Sequence, residues 1–177
     1  SDFLIGLGRD ANEETGWARN PQLSLFDVRQ LDEPTLVDRF AVESDRWSSS
    51  EAFHNHHAVS YFEDKGVLVI PFHFAGWSLF DAGLASSADD RPSNEFWVFQ
   101  LDPKDGGEAI QLLGRIEHDS LAQRSLRINE RLFTISTETV KVHELLNPAH
   151  FVGAIDLRPD PDLVQFRLEV VSASGTP

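Results

Sequence analysis

Arg124-Ser125-Leu126-Arg127-Ile128, Leu132-Phe133-Thr134-Ile135-Ser136, Val140-Lys141-Val142-His143-Glu144-Leu145 and Phe151-Val152-Gly153-Ala154-Ile155-Asp156-Leu157 read in order as four short strands, the first pair joined by the turn Asn129-Glu130-Arg131. The last three strands of this phrase recur twice upstream. One copy is Phe3-Leu4-Ile5-Gly6-Leu7, Leu23-Ser24-Leu25-Phe26-Asp27-Val28 and Thr35-Leu36-Val37-Asp38-Arg39-Phe40-Ala41-Val42. The other is Val67-Leu68-Val69-Ile70, Phe96-Trp97-Val98-Phe99-Gln100-Leu101 and Ala109-Ile110-Gln111-Leu112-Leu113-Gly114-Arg115-Ile116. Three divergent copies of one strand meander indicate a repeat architecture, in which each unit buries its apolar surface against its neighbours.

Strand signals dominate the whole chain: β-branched and aromatic runs are separated by turn clusters such as Asp64-Lys65-Gly66 and Pro103-Lys104-Asp105-Gly106-Gly107. Only 78–85 and 144–149 offer a candidate helical turn. Val67 to Ile70 and Phe96 to Phe99 are apolar at consecutive positions, the pattern of strands buried on both faces. In an antiparallel meander that happens when sheets stack on sheets, as blades do in a propeller. The expected fold is therefore all-β: a single propeller-type fragment over 1–177, with about three four-stranded antiparallel blades near 1–45, 56–118 and 124–158.

The copies are uneven. The second has a first strand at Ala58-Val59-Ser60-Tyr61-Phe62, whereas the first copy begins at what aligns with the second strand. Its missing partner is expected in the run 163–171, from the same chain or from a second molecule, because an open blade edge invites pairing. Three blades leave two faces uncovered, so the chain is expected either to self-associate or to sit beside further N-terminal blades. Insertions at 10–21 and 74–94 interrupt the first two copies and a long segment at 43–57 links them, and long loops on a rigid scaffold are where binding tends to reside.

The bulk numbers bound the function. A hydrophobic share of 41% with 25% charged residues suits a folded globular chain of 177 residues. The formal charge of −14, with 15 scattered basic residues, argues against nucleic acid or an anionic membrane surface as partner, since both need clustered Lys and Arg. No apolar run approaches the length that spans a bilayer, and no signal-peptide pattern opens the chain, which enters at Ser1-Asp2-Phe3 directly on a strand-like run as an excised fragment would. Without cysteine there is no disulfide framework or thiolate chemistry.

Four phrases carry a family likeness: Leu4-Ile5-Gly6-Leu7-Gly8-Arg9-Asp10, Leu23-Ser24-Leu25-Phe26-Asp27-Val28, Ser49-Ser50-Glu51-Ala52-Phe53 with Asn55-His56-His57-Ala58, and Arg131-Leu132-Phe133-Thr134-Ile135-Ser136. In these the chain resembles the bacterial and archaeal family of secreted proteins with a C-terminal β-propeller domain, over nearly its whole length to about Leu157. The resemblance implies secretion or another extracytoplasmic placement. It also implies a propeller larger than this chain, which corresponds to its last three or so blades; it attaches no activity. The family usually has Asp before its His where this chain has Asn55, which puts in doubt any site that needs a carboxylate there.

Among chemistry-bearing clusters, His54-Asn55-His56-His57 with His73 is the foremost. On a strand, His54 and His56 would share a face, with His73 approaching across the hairpin to hold a divalent metal ion, and Glu51 or Asp81 would complete the set. The competing reading has His56 bonded to backbone between blades and His54 and His57 solvated, and it is favoured because no HExxH spacing is present. Asp10, Asn12 and Glu14 before Gly16 suggest a calcium loop, but the glycine is one position late and no bidentate Glu follows. Gly6-Leu7-Gly8 lacks a dinucleotide fingerprint's third glycine; its glycines are expected to allow close backbone approach near a propeller axis. Trp17, Trp47 and Trp77 fall in or beside the insertions, placed either to stack on a sugar or peptide or to cap blade ends.

The function expected from the sequence is a non-enzymatic extracytoplasmic binding or scaffold module for a protein, small-molecule or glycan ligand, with Glu51, His54, His56, His57, His73, Trp47 and Trp77 as its candidate ligand-binding residues. Two alternatives stand beside it: a metal-dependent enzyme centred on His54, His56 and His73, and a purely structural segment of a larger propeller.

Overall fold

The computed structural model describes residues 2–11, 18–42, 44, 47–75, 92–104 and 108–159. Its strands are β1 (Phe3–Ala11), β2 (Ala18–Asp27), β3 (Thr35–Ala41), β4 (Ser48–Ser49), β5 (Ser60–Phe62), β6 (Val67–Phe74), β7 (Ser93–Leu101), β8 (Ile110–His118), β9 (Ala122–Ile128), β10 (Arg131–Ser136), β11 (Thr139–Glu144) and β12 (Asn147–Asp156). They form three antiparallel sheets, one for each sequence copy. The first has the order β1-β2-β3, the middle one β4-β6-β7-β8 with β5 also on β6, and the third β12-β11-β10-β9.

The consecutive apolar runs are explained by what lies on each side of the middle sheet. Side chains alternate across a strand, so Leu68, Ile70, Phe72 and Phe74 of β6 face one way and Val67 and Val69 the other. The first set joins Trp97, Phe99 and Leu101 of β7 in a core shared with Leu23, Leu25 and Val42 of the first copy. The second set joins Phe96, Val98 and Ile116 in a core shared with Ala122, Leu132 and Leu145 of the third. The middle sheet is thus filled from both sides. Trp97 anchors the first core, with Phe72 edge-on at 5.3 Å, Phe74 stacked at 6.0 Å and Phe40 from β3 edge-on at 6.3 Å. Asp38 on β3 accepts the backbone N–H of Ile110 at 2.8 Å, joining the first sheet to the middle one by a hydrogen bond. Ser60 and Ser125 do the same between middle and third sheets, the Ser60 hydroxyl donating to the Ser125 carbonyl at 2.9 Å.

Several boundaries differ from the expectation. The first strand of the middle copy is only Ser60–Phe62, because Ala58 belongs to a 3-10 turn, and the same edge of β6 is also paired by β4. Residues 144–149 make a hairpin, with Leu145 and Leu146 as its turn, and not a helical turn: β11 and β12 pair from Glu144 and Asn147 outward. In the first copy β1 and β2 run on to pair Ala11 with Ala18, so the insertion there is shorter than 10–21. The candidate turn at 78–85 and the run 163–171 lie outside the described residues. The outward face of the third sheet is apolar and exposed at Leu126, Ile128 and Ile155. Among the described residues no helix is long and apolar enough to cross a membrane.

The two sheet interfaces differ in polarity. Between the middle and third sheets His118 is 4% exposed, with Nε2 bonded to the Thr134 hydroxyl at 2.9 Å and Nδ1 to that of Thr139 at 3.1 Å. His143 is buried nearby; its Nδ1 donates to the Pro148 carbonyl at 2.6 Å. Burial, aided by the Lys141 ammonium and by His143, pushes His118 down to about 4. Burial likewise lowers His143.

A histidine with a depressed folded pKa is neutral in the native state while the unfolded chain takes up a proton. Stability is therefore full above the unfolded value of about 6.5 and is lost as pH falls from there toward about 4. Thermal melts should show this loss, on the order of 2 kcal/mol from His118, and His118→Gln should flatten the decline between these limits. An unchanged slope in that variant would dissociate His118 from the acid response.

The turn into β6 depends on Gly66, which adopts φ 63° after the 3-10 turn Glu63–Lys65. Its carbonyl accepts the Leu101 N–H at 2.7 Å, and a Cβ there would lie 2.7 Å from the Leu101 carbonyl oxygen. Gly66→Ala combines a left-handed backbone with a clash against main chain, so it should cost about 2–3 kcal/mol. Denaturant unfolding should show a lower midpoint with an unaltered slope.

Candidate functional site

The edge strand of the middle sheet comes in two pieces. β4 pairs Ser48 with Phe74 and Ser49 with His73, and β5 pairs Ser60 with Val69 through Phe62 with Val67. Between them residues 50–59 bulge away from Ile70, Pro71 and Phe72 of β6. Proline explains why the break is tolerated. The N and C=O of one strand residue point to the same side, and the Pro71 carbonyl accepts the Ser50 hydroxyl at 2.5 Å, so the absent N–H faces the interruption. No ladder donor is left stranded.

The bulge consists of two 3-10 turns, each capped by the residue before it. Ser50 Oγ accepts from the Ala52 N–H at 3.1 Å at the head of Glu51–Phe53, and Asn55 Oδ1 accepts from the His57 N–H at 3.1 Å at the head of His56–Ala58. Both caps satisfy a backbone donor that a turn leaves open. Asn55 also donates to Glu51 Oε1 at 3.3 Å, linking the two turns. At this position the side chain serves as a cap.

Beside the bulge lies a cavity of about 150 Å³ lined by Trp47, Ser49, Ser50, Glu51, His54, Pro71, Phe72, His73, Leu121 and Ala122. Pro71 and Ala122 are buried apolar members of its lining, and it straddles the junction of middle and third sheets. Trp47 is 58% exposed at the rim. The Arg9 guanidinium lies over the Trp47 ring at 5.8 Å and the Phe53 ring at 4.8 Å, and Nη1 donates to the Ser48 carbonyl at 3.0 Å. His73 Nδ1 donates to Asn94 Oδ1 at 2.9 Å, which leaves Nε2 as an acceptor in the neutral ring. Among the described residues no hydrogen bond engages the Ser49 hydroxyl, the His54 ring or the Trp47 indole N–H.

The structure therefore brings Trp47, Glu51, His54 and His73 to one cavity, and leaves His56 and His57 outside it with their rings 3.9 Å apart. His54 and His56 do not share a strand face, because the chain there is in 3-10 turns. Among the described residues no group of three or more His, Asp or Glu side chains is arranged to hold a metal ion, so His54, His56, His73 and Glu51 are not assembled as a ligand set. Trp17, Trp77 and Asp81 lie outside the described residues. Of the calcium-loop candidates, Asp10 sits on β1, while Asn12, Glu14 and Gly16 are outside the description. Among the described residues Gly6 and Gly8 are not crowded: a Cβ at Gly6 would meet only ordinary contacts from 3.6 Å, and at Gly8 none within 4 Å.

Ser49, Ser50, Phe72, Leu121 and Ala122 complete the cavity, Arg9 backs its rim, and none was marked by the sequence as site-forming. One signal was available: Pro71 inside an otherwise buried strand requires an edge or a break on one side. Ser50→Ala removes both the cap and the Pro71 contact and should destabilise the chain by about 1–2 kcal/mol. Hydrogen exchange should accelerate at Ala52 and His54 while the β7 amides stay protected. Uniform acceleration across the middle sheet would contradict this local role.

The profile of a family described as "Beta propeller domain" matches residues 1–147. Among curated proteins none matches the chain.

Proposed function

We propose that this chain, which belongs to the beta propeller domain family, is a non-enzymatic ligand-binding module whose site is the cavity at the broken edge of the middle sheet. The observation that carries this reading is the pairing of uncommitted groups with committed supports. The Ser49 hydroxyl, the His54 ring and the Trp47 indole N–H have no hydrogen-bond partner among the described residues, yet each is held beside a strand or turn anchored by Ser50, Asn55 and β6, and the Trp47 ring is backed by Arg9. An apolar cavity with a few convergent polar groups is the usual form of a binding site. Placement outside the cytoplasm rests on the resemblance to secreted propeller proteins and is proposed with it.

The test is a ligand screen on the whole chain by amide and indole NMR. Binders should shift Trp47, Ser49 and His54 together, should be recovered chemically unchanged, and should bind about tenfold more weakly to Trp47→Ala, a loss of about 1.4 kcal/mol. Two results would count against the proposal. One is binders that shift only residues remote from the cavity; the other is turnover of a bound compound that His54→Ala abolishes.

A further inference from the structure

We propose that the cavity beside Trp47 takes a neutral, polyhydroxylated ring, such as a pyranose unit of a glycan; this rests on the binding-module reading above and names the class of ligand.

Three features select against other classes. An extended peptide added as a strand needs a row of free backbone donors and acceptors. At this edge Pro71 has no N–H and its carbonyl is taken by Ser50, while β4 and β5 occupy the pairing positions on either side. Recognition here must therefore run through side chains. An anion would face the Glu51 carboxylate, and the guanidinium of Arg9, behind Trp47, is turned onto the Trp47 and Phe53 rings and the Ser48 carbonyl. Among the described residues a cation would find one carboxylate in the lining, already accepting from Asn55. Neither sign of charge is matched by the described lining, and a buried unmatched charge is costly.

What remains is a neutral ligand with an apolar face and a polar edge. The exposed Trp47 ring offers the apolar contact, with Pro71 also in the lining, and the axial C–H groups of a pyranose give it one face that can lie on an aromatic ring. Around that platform the free groups are of mixed kind: the Ser49 hydroxyl both donates and accepts, the indole N–H donates, and His73 Nε2 accepts. A sugar hydroxyl is likewise both donor and acceptor, so one ring can satisfy all three. A purely apolar ligand would bury them unpaired, at a penalty for each. The small volume suits a single ring, with the rest of a chain lying over the rim.

The experiment is saturation-transfer and chemical-shift NMR on the whole chain with a panel of methyl pyranosides, N-acetylglucosamine, a capped neutral tetrapeptide and inorganic phosphate as probes. At least one pyranoside should perturb Trp47, Ser49 and His73 together, with saturation strongest on its C–H protons. Trp47→Ala should weaken it about tenfold or more, and Trp47→Phe, which keeps an aromatic face, should lose only a few-fold. If the tetrapeptide or phosphate perturbs those residues and no sugar does, the sugar assignment is overturned while the binding site stands. If no probe perturbs them at millimolar concentration, the sugar assignment falls, and the wider ligand screen above then decides the site by itself. A sugar that binds equally well to Trp47→Ala also overturns the assignment.

Discussion

The double-sided burial of β6 and β7 is the constraint from which the rest of the arrangement follows. Every position from Val67 to Phe72 and from Glu95 to Phe99 is buried, with successive side chains serving opposite cores. Each large side chain so placed contributes roughly 1.5–3 kcal/mol of burial free energy, and the first and third sheets are held to the middle one largely by that sum. A polar group in these strands needs its own partners. Glu95 illustrates the rule: at 7% exposure its carboxylate accepts from the Trp97 indole at 2.8 Å and the Ser93 hydroxyl at 3.0 Å.

Strands that are apolar on both faces have no room for a site in their interior, so uncommitted chemistry is driven to the sheet edges and strand ends. The broken edge along β6 is where this chain places it. Pro71 makes the interruption permissible, Ser50 closes the open carbonyl, and Asn55 stiffens the bulge from within. The side chains that then reach the cavity come from four separate segments, β4 and its approach, the first 3-10 turn, β6, and the entry to β9. Their relative positions are fixed by packing that has nothing to do with ligand, the situation in which a binding group needs little reorganisation.

Much of the fold was legible in the residues because its two governing signals are strong ones. Uninterrupted apolar runs such as Phe96 to Phe99 require cover on both faces, and the recurring phrase supplies neighbours to give it. The third copy, with tight turns and no insertion, has its four strands in the expected order, although its last strand begins at Asn147, where the sequence also offers a helical turn over 144–149. The candidate site was legible only in part. Histidines announce themselves by type, so His54 and His73 stand out in the sequence, but residue type does not give their geometry. Ser50 and Asn55 turn the chain into two 3-10 turns where alternation along a strand would put His54 and His56 on one face, and His56 and His57 fall outside the cavity. Leu121 and Ala122 could not be read at all, because they meet the cavity only through the docking of the third sheet, a contact with no local trace in sequence. Pro71 was the exception, a residue whose backbone chemistry states that a strand edge must be broken nearby.

The charge of the chain and the character of its cavity are separate matters. Arg29 with Asp27, Arg127 with Asp64 and Arg158 with Asp156 are surface pairs, partly exposed, that contribute little to stability and take no part in the cavity lining. The cavity instead belongs to the seam between the middle and third sheets, which is the more polar of the two interfaces: Thr134, Ser136, His118 and His143 are buried in it, whereas Trp97 and four phenylalanines fill the other. One wall of the cavity, Leu121 and Ala122, stands on the third sheet and the opposite wall on the middle one. The cavity therefore depends on the same interface in which burial holds the His118 and His143 imidazoles below their usual pKa, so the two walls that would enclose a ligand are set by the docking of the third sheet on the middle one.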